Sequence, residues 1–220
     1  MTVPSGERPL RADAARNRQR LIDAAAEVFA TRGLDATLDD IARHAGVNVA
    51  TAYRHFSNKH ELAREFLRQC VDRAIAVAEE AAALPDPWEG LTQFLERSLE
   101  LAASNHALVD IITRAYDTEP FRQLIEGVDG PVERLLARGR EAGVIRADVR
   151  ATDFAAIMEM LCTITGIDVP GIPYLPHRYI ALILAGLRPG GDDLPGEPPS
   201  KDKLLTIAAT RPPKPPHRDV

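Results

Sequence analysis

Residues 37–62 read TLDDIARHAGVNVATAYRHFSNKHEL, and this stretch contains two short helical patterns on either side of Gly46. Thr37 and Asp40 have the spacing of a capping box, with Asp in place of the usual Glu or Gln. Apolar residues then recur at the i, i+3, i+4 and i+7 positions of one helix face, at Leu38, Ile41, Ala42 and Ala45. Gly46 follows where a helix ends with a residue at positive φ. We therefore expect a short helix that ends at Gly46.

The second pattern begins at Asn48, a residue type that caps helix N-termini well. The same helical spacing recurs at Val49, Ala52, Tyr53 and Phe56. Two short helices joined by a glycine-containing turn of three or four residues form a helix-turn-helix. We expect a third helix to start near Lys59 with Ser57 as its cap.

The other face of the second helix carries small, hydroxyl and basic side chains, which suit the major groove of DNA. These residues are Ala50, Thr51, Arg54 and His55, beside Asn48 and Lys59. The alternative is an ordinary surface helix pair in an all-α core. Helical periodicity alone does not distinguish the two interpretations.

The residue types favour the first interpretation, because the stretch closely resembles the DNA-binding domain of the TetR (tetracycline-repressor) family. The matching positions are Ile41, Ala42, Ala45, Gly46, Val47, Thr51, Tyr53, His55, Phe56, Lys59 and Leu62. The resemblance covers roughly residues 12–65. Where the family often has Ser-x-Gly-Thr at the start of the recognition helix, this chain has Asn48-Val49-Ala50-Thr51. That departure makes the start of the helix bulkier and bears on operator sequence more than on fold.

Two sets of DNA-contacting residues are expected. For phosphate we expect Thr37 with the first-turn amides of its helix, Lys59 through its charge, and Tyr53 and His55 through the family resemblance. Tyr53 could equally be a core residue with its hydroxyl outward. For base edges we expect Asn48, Val49, Ala50, Thr51 and Arg54. Arg54 could pair with guanine O6 and N7, and Arg43 could contact either bases or phosphate.

The charge distribution agrees with this expectation. The 220-residue chain has a formal net charge of −5, but residues 1–60 contain nine Lys/Arg and seven Asp/Glu. The first 60 residues therefore carry +2 and the remainder −7. A basic N-terminal part beside an acidic remainder favours local phosphate contact.

Composition and motifs argue against other classes of protein. Cys70 and Cys162 are far apart in sequence and suggest buried free thiols. No signal peptide and no apolar run long enough to span a membrane are present, so we expect a cytoplasmic protein with no membrane partner. The six histidines lack ligand spacing, and the motifs of hydrolases, P-loop proteins, zinc proteases and dinucleotide-binding enzymes are missing. We expect neither an enzyme nor a bound metal or cofactor.

Four segments are predicted along the chain. Residues 1–11 read as a flexible arm, either a solvated tail or a basic arm that reaches DNA. Residues 12–58 form the helix-turn-helix domain, whose first helix starts near residue 12 and ends at Gly33. Residues 59–188 form an all-helical regulatory and dimerisation domain. Residues 189–220 hold eight of the 17 prolines and read as a disordered tail with at most one helical turn.

Within the regulatory domain, helices are expected over about 59–83, 88–104, 106–116, 118–142, 151–165 and 179–187. Gly127, Gly130 and Pro131 predict a kink or a split in the fourth of these. Residues 144–149 read as an extended connector, and residues 170–176 as a loop.

The last two helices are apolar over most of their circumference, which predicts deep burial or an oligomer interface. The family resemblance implies dimerisation through these helices. The candidate interface residues are Phe154, Ile157, Leu161, Tyr179, Leu182 and Ile183.

A mixture of apolar bulk and a few polar atoms suggests a pocket for a small, mostly apolar ligand. Its candidate residues, each of which could be ordinary packing, are Trp88, Phe94, Ser98, Arg114, Tyr116, Phe121, Met158 and Thr163. The sequence thus predicts an all-α, homodimeric repressor that binds a palindromic operator in double-stranded DNA and is released by a small ligand. A constitutive or activating regulator, or a helical interaction protein that does not bind DNA, are the alternatives.

Overall fold

The computed structural model describes residues 7–104, 119–165 and 175–209. Within these ranges the backbone forms helices joined by turns, with no strand, which confirms the all-α prediction. None of the described helices is long and apolar enough to cross a membrane. The chain divides into two compact units between Cys70 and Val71.

The first unit is the helix-turn-helix head. Its elements are α1 (Glu7–Arg32), a 3-10 turn (Gly33–Asp35), α2 (Leu38–His44), α3 (Val49–His55) and the first half of α4 (Lys59–Ala82). The largest fully buried side chains of this unit are Leu21, Ile22, Ile41, Phe56 and Leu62. The apolar faces of α2 and α3, with Ile41 and Ala52, pack into this core. Their polar faces therefore remain at the surface.

The capping residues predicted for α2 and α3 are confirmed. The Thr37 hydroxyl accepts from the Asp40 amide at 3.1 Å, and the Asp40 carboxylate accepts from the Thr37 amide at 3.0 Å, which completes the capping box. Asn48 Oδ1 accepts from the Ala50 amide at 2.9 Å. Gly46 has φ +62°, as a left-handed position at the end of α2 requires.

The cap of α4 is one residue later than predicted. Asn58 Oδ1, not Ser57, accepts from the His60 and Glu61 amides, both at 3.0 Å. Ser57 instead donates its amide and its hydroxyl to Glu61 Oε2, both at 2.7 Å. Ser57 and Asn58 can both cap a helix, so sequence alone did not fix which one does.

The first helix starts earlier than predicted, at Glu7 rather than near residue 12. Pro9 lies in its first turn, where a missing amide proton costs little. The predicted arm over 1–11 is therefore wrong for residues 7–11. Residues 1–6 lie outside the described ranges.

Side-chain contacts attach the first half of α4 to α1. Arg18 Nη1 donates to Glu65 Oε1 at 3.1 Å, and the amide groups of Gln19 and Gln69 pair at 3.2 and 3.3 Å. Arg18 also lies 5.1 Å from the centre of the Phe56 ring. Residues 59–70 thus share a compact unit with the head, although the sequence placed a domain boundary at residue 59.

The second unit continues α4 from Val71 and adds five described helices. They are α5 (Pro87–Ser104), α6 (Glu119–Glu141), α7 (Ala151–Thr165), α8 (Leu175–Gly186) and α9 (Lys201–Ala209). α5 packs against α6, α7 and α8, and its core side chains include Leu91, Phe94 and Leu95. Arg138 on α6 donates to the Ala82, Leu84 and Pro85 carbonyls at 2.5–2.8 Å. Its guanidinium group therefore caps the C-terminal end of α4 and the turn that follows.

α6 is one continuous helix through Pro131, so of the predicted kink or split the split is wrong, and the kink stays a prediction. A proline inside a helix removes one backbone hydrogen bond, and the helix nevertheless runs over 23 residues. Gly127 serves packing there, because a Cβ at that position would lie 2.3 Å from Ile75 Cδ1. α8 starts at Leu175 rather than at residue 179, with Pro176 in its first turn. The helix expected over 106–116 lies outside the described residues.

The connector after α6 forms turns and bends rather than an extended strand. Arg146 lies at its centre and pairs with Asp148 through Nε–Oδ1 and Nη2–Oδ2 contacts of 2.6 and 2.8 Å. Arg146 also donates to the Asp192 carbonyl at 2.6 Å, and Asp148 accepts from the Leu194 amide at 2.8 Å. These contacts hold the chain that follows α8.

The segment after residue 189 differs from the predicted disordered tail over residues 201–209. These residues form α9, which packs against α6 and α7 with Leu204 only 5% exposed. The sequence pattern allowed one helical turn at most, because the neighbouring prolines lower the apolar content of the segment as a whole. Residues 210–220 lie outside the described ranges.

Candidate nucleic-acid interface

α3 presents the polar face that the sequence predicted. Asn48, Ala50, Tyr53 and Arg54 are exposed, with Tyr53 at 51%. Val49, Thr51, His55 and Lys59 are half-buried, whereas Ala52 and Phe56 are buried in the head. The cap at Asn48 uses its side-chain oxygen, which leaves its NH2 group as a donor. A helix held on one side by the core and exposed on the other can enter a groove.

Asp40 organises the side chains around the N-terminal turn of α2. One carboxylate oxygen accepts from the Thr37 amide at 3.0 Å and the Thr37 hydroxyl at 2.6 Å. The other accepts from Arg43 Nη2 at 2.6 Å and lies 3.2 Å from Arg32 Nη1. The Thr37 hydroxyl first of all, then the Thr37 amide, and then the charges of Arg43 and Arg32 lower the pKa of Asp40 to about 2. Asp40 is therefore charged at neutral pH and engages two expected DNA contacts, Thr37 and Arg43.

Tyr53 lies beside a second acidic residue of α2. A hydrogen-bonding interaction with the Asp39 carboxylate raises the pKa of the Tyr53 hydroxyl, so this group keeps its proton at neutral pH. Asp39 Oδ1 is buried and has no hydrogen-bond partner among the described residues. Tyr53 is therefore both exposed, as a DNA contact must be, and next to a carboxylate that would compete with phosphate.

The structure thus brings the expected DNA-contacting residues to the exposed sides of α2 and α3 and the first turn of α4. Arg32, which no sequence pattern singled out, lies beside them. Arg32 is the last residue of α1 and shares Asp40 with Arg43. No local sequence pattern predicts the position of Arg32, because its partner Asp40 lies eight residues later, beyond the 3-10 turn.

The structure describes the side chains of four of the eight candidate ligand-pocket residues. Phe94 is a core residue whose ring lies 6.2 Å from the Phe154 ring, and Arg188 lies 3.4 Å from the centre of the Trp88 ring. Ser98 is half-buried, and Met158 packs on the same core. Arg114 and Tyr116, and the side chains of Phe121 and Thr163, lie outside the described part of the chain.

The candidate interface residues differ in their exposure: two are exposed, two are buried and two are half-buried. Tyr179 and Leu182 on α8 are 39% and 57% exposed, and Met160 on α7 is 58% exposed. Phe154 and Leu161 are instead buried in the core of the second unit, so their assignment to an interface disagrees with the structure. α7 is apolar on several sides, and sequence alone did not show which side packs against α5. Ile157 and Ile183 are half-buried against the same core.

These features define a class of protein: a helix-turn-helix head with a basic, polar recognition face, joined to a separate helical unit, is the architecture of a DNA-binding transcriptional regulator. Residues 21–66 match the family model described as bacterial regulatory proteins, tetR family, and residues 86–189 match the C-terminal domain of SbtR-like transcriptional regulators. The chain belongs to the TetR family of transcriptional regulators, which are not enzymes.

Three relatives illustrate the likeness. The HTH-type transcriptional repressor KstR2 of Rhodococcus jostii is 35% identical over 185 residues, which span 77% of this chain and 90% of the relative. The crystal structure of a TetR transcription regulatory protein from Mycobacterium vanbaalenii matches with a TM-score of 0.62 and 32% identity, over 82% of this chain and 99% of that chain. The structure of the ketosteroid transcriptional regulator KstR2 of Mycobacterium tuberculosis matches with a TM-score of 0.62 and 25% identity, over 79% of this chain and 95% of that chain.

Proposed function

We propose that this regulator is a homodimeric, cytoplasmic repressor that binds a palindromic operator and is released by a small, mostly apolar ligand. The observation that carries the proposal is the exposed face of α3, with Arg54 and the Asn48 amide group at the surface and Phe56 anchored in the core. Arg54 is the candidate for guanine, with Asn48, Val49, Ala50 and Thr51 beside it. Tyr53, His55 and Lys59 are the candidates for phosphate.

The DNA-binding part is tested by selecting an operator from a randomised duplex library and measuring affinity at a series of salt concentrations. Phosphate contacts release counterions, so the logarithm of the binding constant falls linearly with the logarithm of salt concentration. Replacing Lys59 with Ala should reduce that slope by about 0.9 for each phosphate that Lys59 neutralises in the wild type. An unchanged slope would remove Lys59 from the phosphate set.

Dimerisation is supported by the apolar side chains exposed on α7 and α8. Met160, Tyr179 and Leu182 are three large hydrophobic residues at 39–58% exposure on the helices that the family resemblance assigns to the interface. Leu182→Asp should shift the sedimenting species towards monomer. Leu194→Asp is the matched control, since Leu194 is 45% exposed but lies outside these helices. A dimer that survives Leu182→Asp would place the interface elsewhere.

Ligand release is supported by the relatives named KstR2, one of which is called a ketosteroid transcriptional regulator. We therefore place fused-ring ketones among the first compounds to screen for thermal stabilisation. A hit that is the effector must weaken operator binding, and DNA must weaken its binding by the same factor. α4 continues from one unit into the other, so it is the covalent link through which such coupling would pass. A stabilising compound that leaves operator affinity unchanged is not the effector.

A further inference from the structure

Arg32 and Arg43 share one carboxylate at the surface of the head. Arg43 Nη2 and Arg32 Nη1 lie 2.6 and 3.2 Å from the same oxygen of Asp40. The Arg43 and Arg32 side chains are 71% and 64% exposed, whereas the Asp40 side chain is 20% exposed. The two guanidinium groups therefore cover the carboxylate and face solvent.

Thr37 has already used the donors that a phosphate would need. Its amide and its hydroxyl both point to the other Asp40 oxygen, at 3.0 and 2.6 Å. While this capping box is closed, Thr37 offers a phosphate neither group. Each guanidinium has five N–H donors, and the ion pair with Asp40 uses only part of them. The strongest unused donors at this end of α2 belong to the two arginines.

The place of α2 in helix-turn-helix complexes gives these donors a target. The first helix of the motif crosses the DNA backbone while the recognition helix enters the major groove. We propose that Arg32 and Arg43, oriented by Asp40, form the phosphate-contacting pair at α2 and take the role expected of Thr37. This inference rests on the proposed docking of the head on duplex DNA.

The charges permit this role. Two guanidinium groups and one carboxylate leave one net positive charge, and the fixed geometry reduces the ordering that each arginine must undergo on binding. Asp40 acts through the arginines, so it is a positioning residue. Its removal should misplace the guanidinium groups without removing their charge.

The experiment measures operator affinity against salt concentration for the full chain and for variants at Arg32, Arg43 and Asp40. Arg32→Ala and Arg43→Ala should each reduce the salt slope by about 0.9 for every bound head. Arg32→Lys keeps the charge and should retain the slope while binding more weakly. Asp40→Asn should retain the slope and lower affinity at every salt concentration. Arg97→Ala is the control, because Arg97 forms a comparable surface ion pair, with Glu80, in the second unit.

The outcomes separate this inference from the proposed function. If Arg32→Ala has the slope of Arg97→Ala while the wild type binds DNA in a salt-dependent way, Arg32 is not a contact and only this inference fails. Equal losses of affinity in Arg32→Ala and Arg32→Lys, with unchanged slope and a lower melting temperature, would make Arg32 a structural residue and also overturn it. Tighter binding by Asp40→Asn would show that Asp40 repels phosphate rather than positions arginine. Absence of salt-dependent duplex binding by the wild type would instead refute the proposed function.

Discussion

Lys201 Nζ lies 2.8 Å from Asp129 Oδ2, and this contact joins α9 to α6. Three residues further along α9, Leu204 is 5% exposed where α9 packs against α6 and α7. Ser200 precedes the helix and accepts from the Lys203 amide at 3.4 Å. A charged contact and a buried leucine, one helical turn apart, thus attach a segment that lies beyond the family model, which ends at residue 189.

We predict that deleting residues 190–220 lowers the melting temperature. Burial of a leucine side chain contributes about 1.5–3 kcal/mol, and a surface ion pair contributes about 0.2–1 kcal/mol. In a chain of this size each kcal/mol corresponds to about 2–4 °C. Leu204→Ser should reproduce most of the loss, whereas Leu194→Ser, at an exposed position of the same segment, should not. Calorimetry that finds equal melting temperatures for the deletion and the wild type would show that α9 adds no stability.

Gly127 should resist substitution, although alanine is normally the better helix residue by about 0.5–1 kcal/mol. A Cβ at Gly127 would lie 2.3 Å from Ile75 Cδ1 and 2.6 Å from Ile75 Cγ1. Overpacking of this kind costs about 1–3 kcal/mol, so Gly127→Ala should lower stability. Gly186→Ala is the control, because its Cβ would meet nothing within 4 Å.

The same close approach predicts a non-additive pair. Ile75→Ala removes the two atoms that would lie within 3 Å of the added methyl group and leaves Ile75 Cβ at an ordinary contact distance of 3.8 Å. Gly127→Ala should therefore become neutral or stabilising in that background. Denaturant unfolding of the four proteins of the double-mutant cycle measures the coupling directly. If Gly127→Ala is equally destabilising with and without Ile75→Ala, the close approach of α6 to α4 is not the reason for the glycine.

The parts of the head that could be predicted from the sequence depend on near neighbours in the chain. The caps at Thr37 and Asn48 each use an amide two or three residues away, and Gly46 follows the last turn of α2. Such signals are complete within one helical turn. Where two residues offered the same chemistry, as Ser57 and Asn58 did, the local signal could not choose between them.

The remaining features depend on partners that are distant in sequence. Glu65 pairs with Arg18 across 47 residues, and α9 is held by Asp129 on α6. The burial of Phe154 follows from the packing of α7 against α5, which an all-round apolar helix does not specify. Arg32 was missed because nothing in its own neighbourhood distinguishes it from a solvated arginine.

The head should lose stability in acid through its carboxylates with a lowered pKa, among which Asp40 and Glu65 have larger shifts than Glu61. Thr37, together with Arg43 and Arg32, lowers the pKa of Asp40 from 3.8 to about 2. Arg68, and then Arg18, lower the pKa of Glu65 from 4.5 to about 2. A group whose folded pKa is depressed stabilises the fold above its unfolded pKa and loses that contribution as pH falls through the folded value. The melting temperature should therefore stay level down to about pH 5 and fall between about pH 4.5 and 2.

Glu65→Gln provides the check on that profile. The variant should melt below the wild type at pH 7, and the two should converge towards pH 2, where the wild-type carboxyl group is itself becoming protonated. Glu96→Gln, at an exposed position on α5, controls for the loss of one negative charge. Parallel curves for Glu65→Gln and wild type over the whole range would show that Glu65 contributes nothing to acid sensitivity.

Arg54 should determine one base pair in each half-site of the operator. It is an exposed arginine in the last turn of the recognition helix, and a bidentate contact with guanine contributes about 1–3 kcal/mol of discrimination. Arg54→Ala should therefore relax a single position when both proteins are profiled on a randomised duplex library, with affinity for the preferred sequence reduced roughly 5- to 150-fold. Lys59→Ala is the contrasting variant, because removing a phosphate-binding charge weakens binding to all sequences alike and reduces the salt slope. If Arg54→Ala lowers affinity uniformly and no operator position relaxes, then Arg54 contacts the DNA backbone. Base selection would in that case rest with Asn48, Val49, Ala50 and Thr51 at the start of α3.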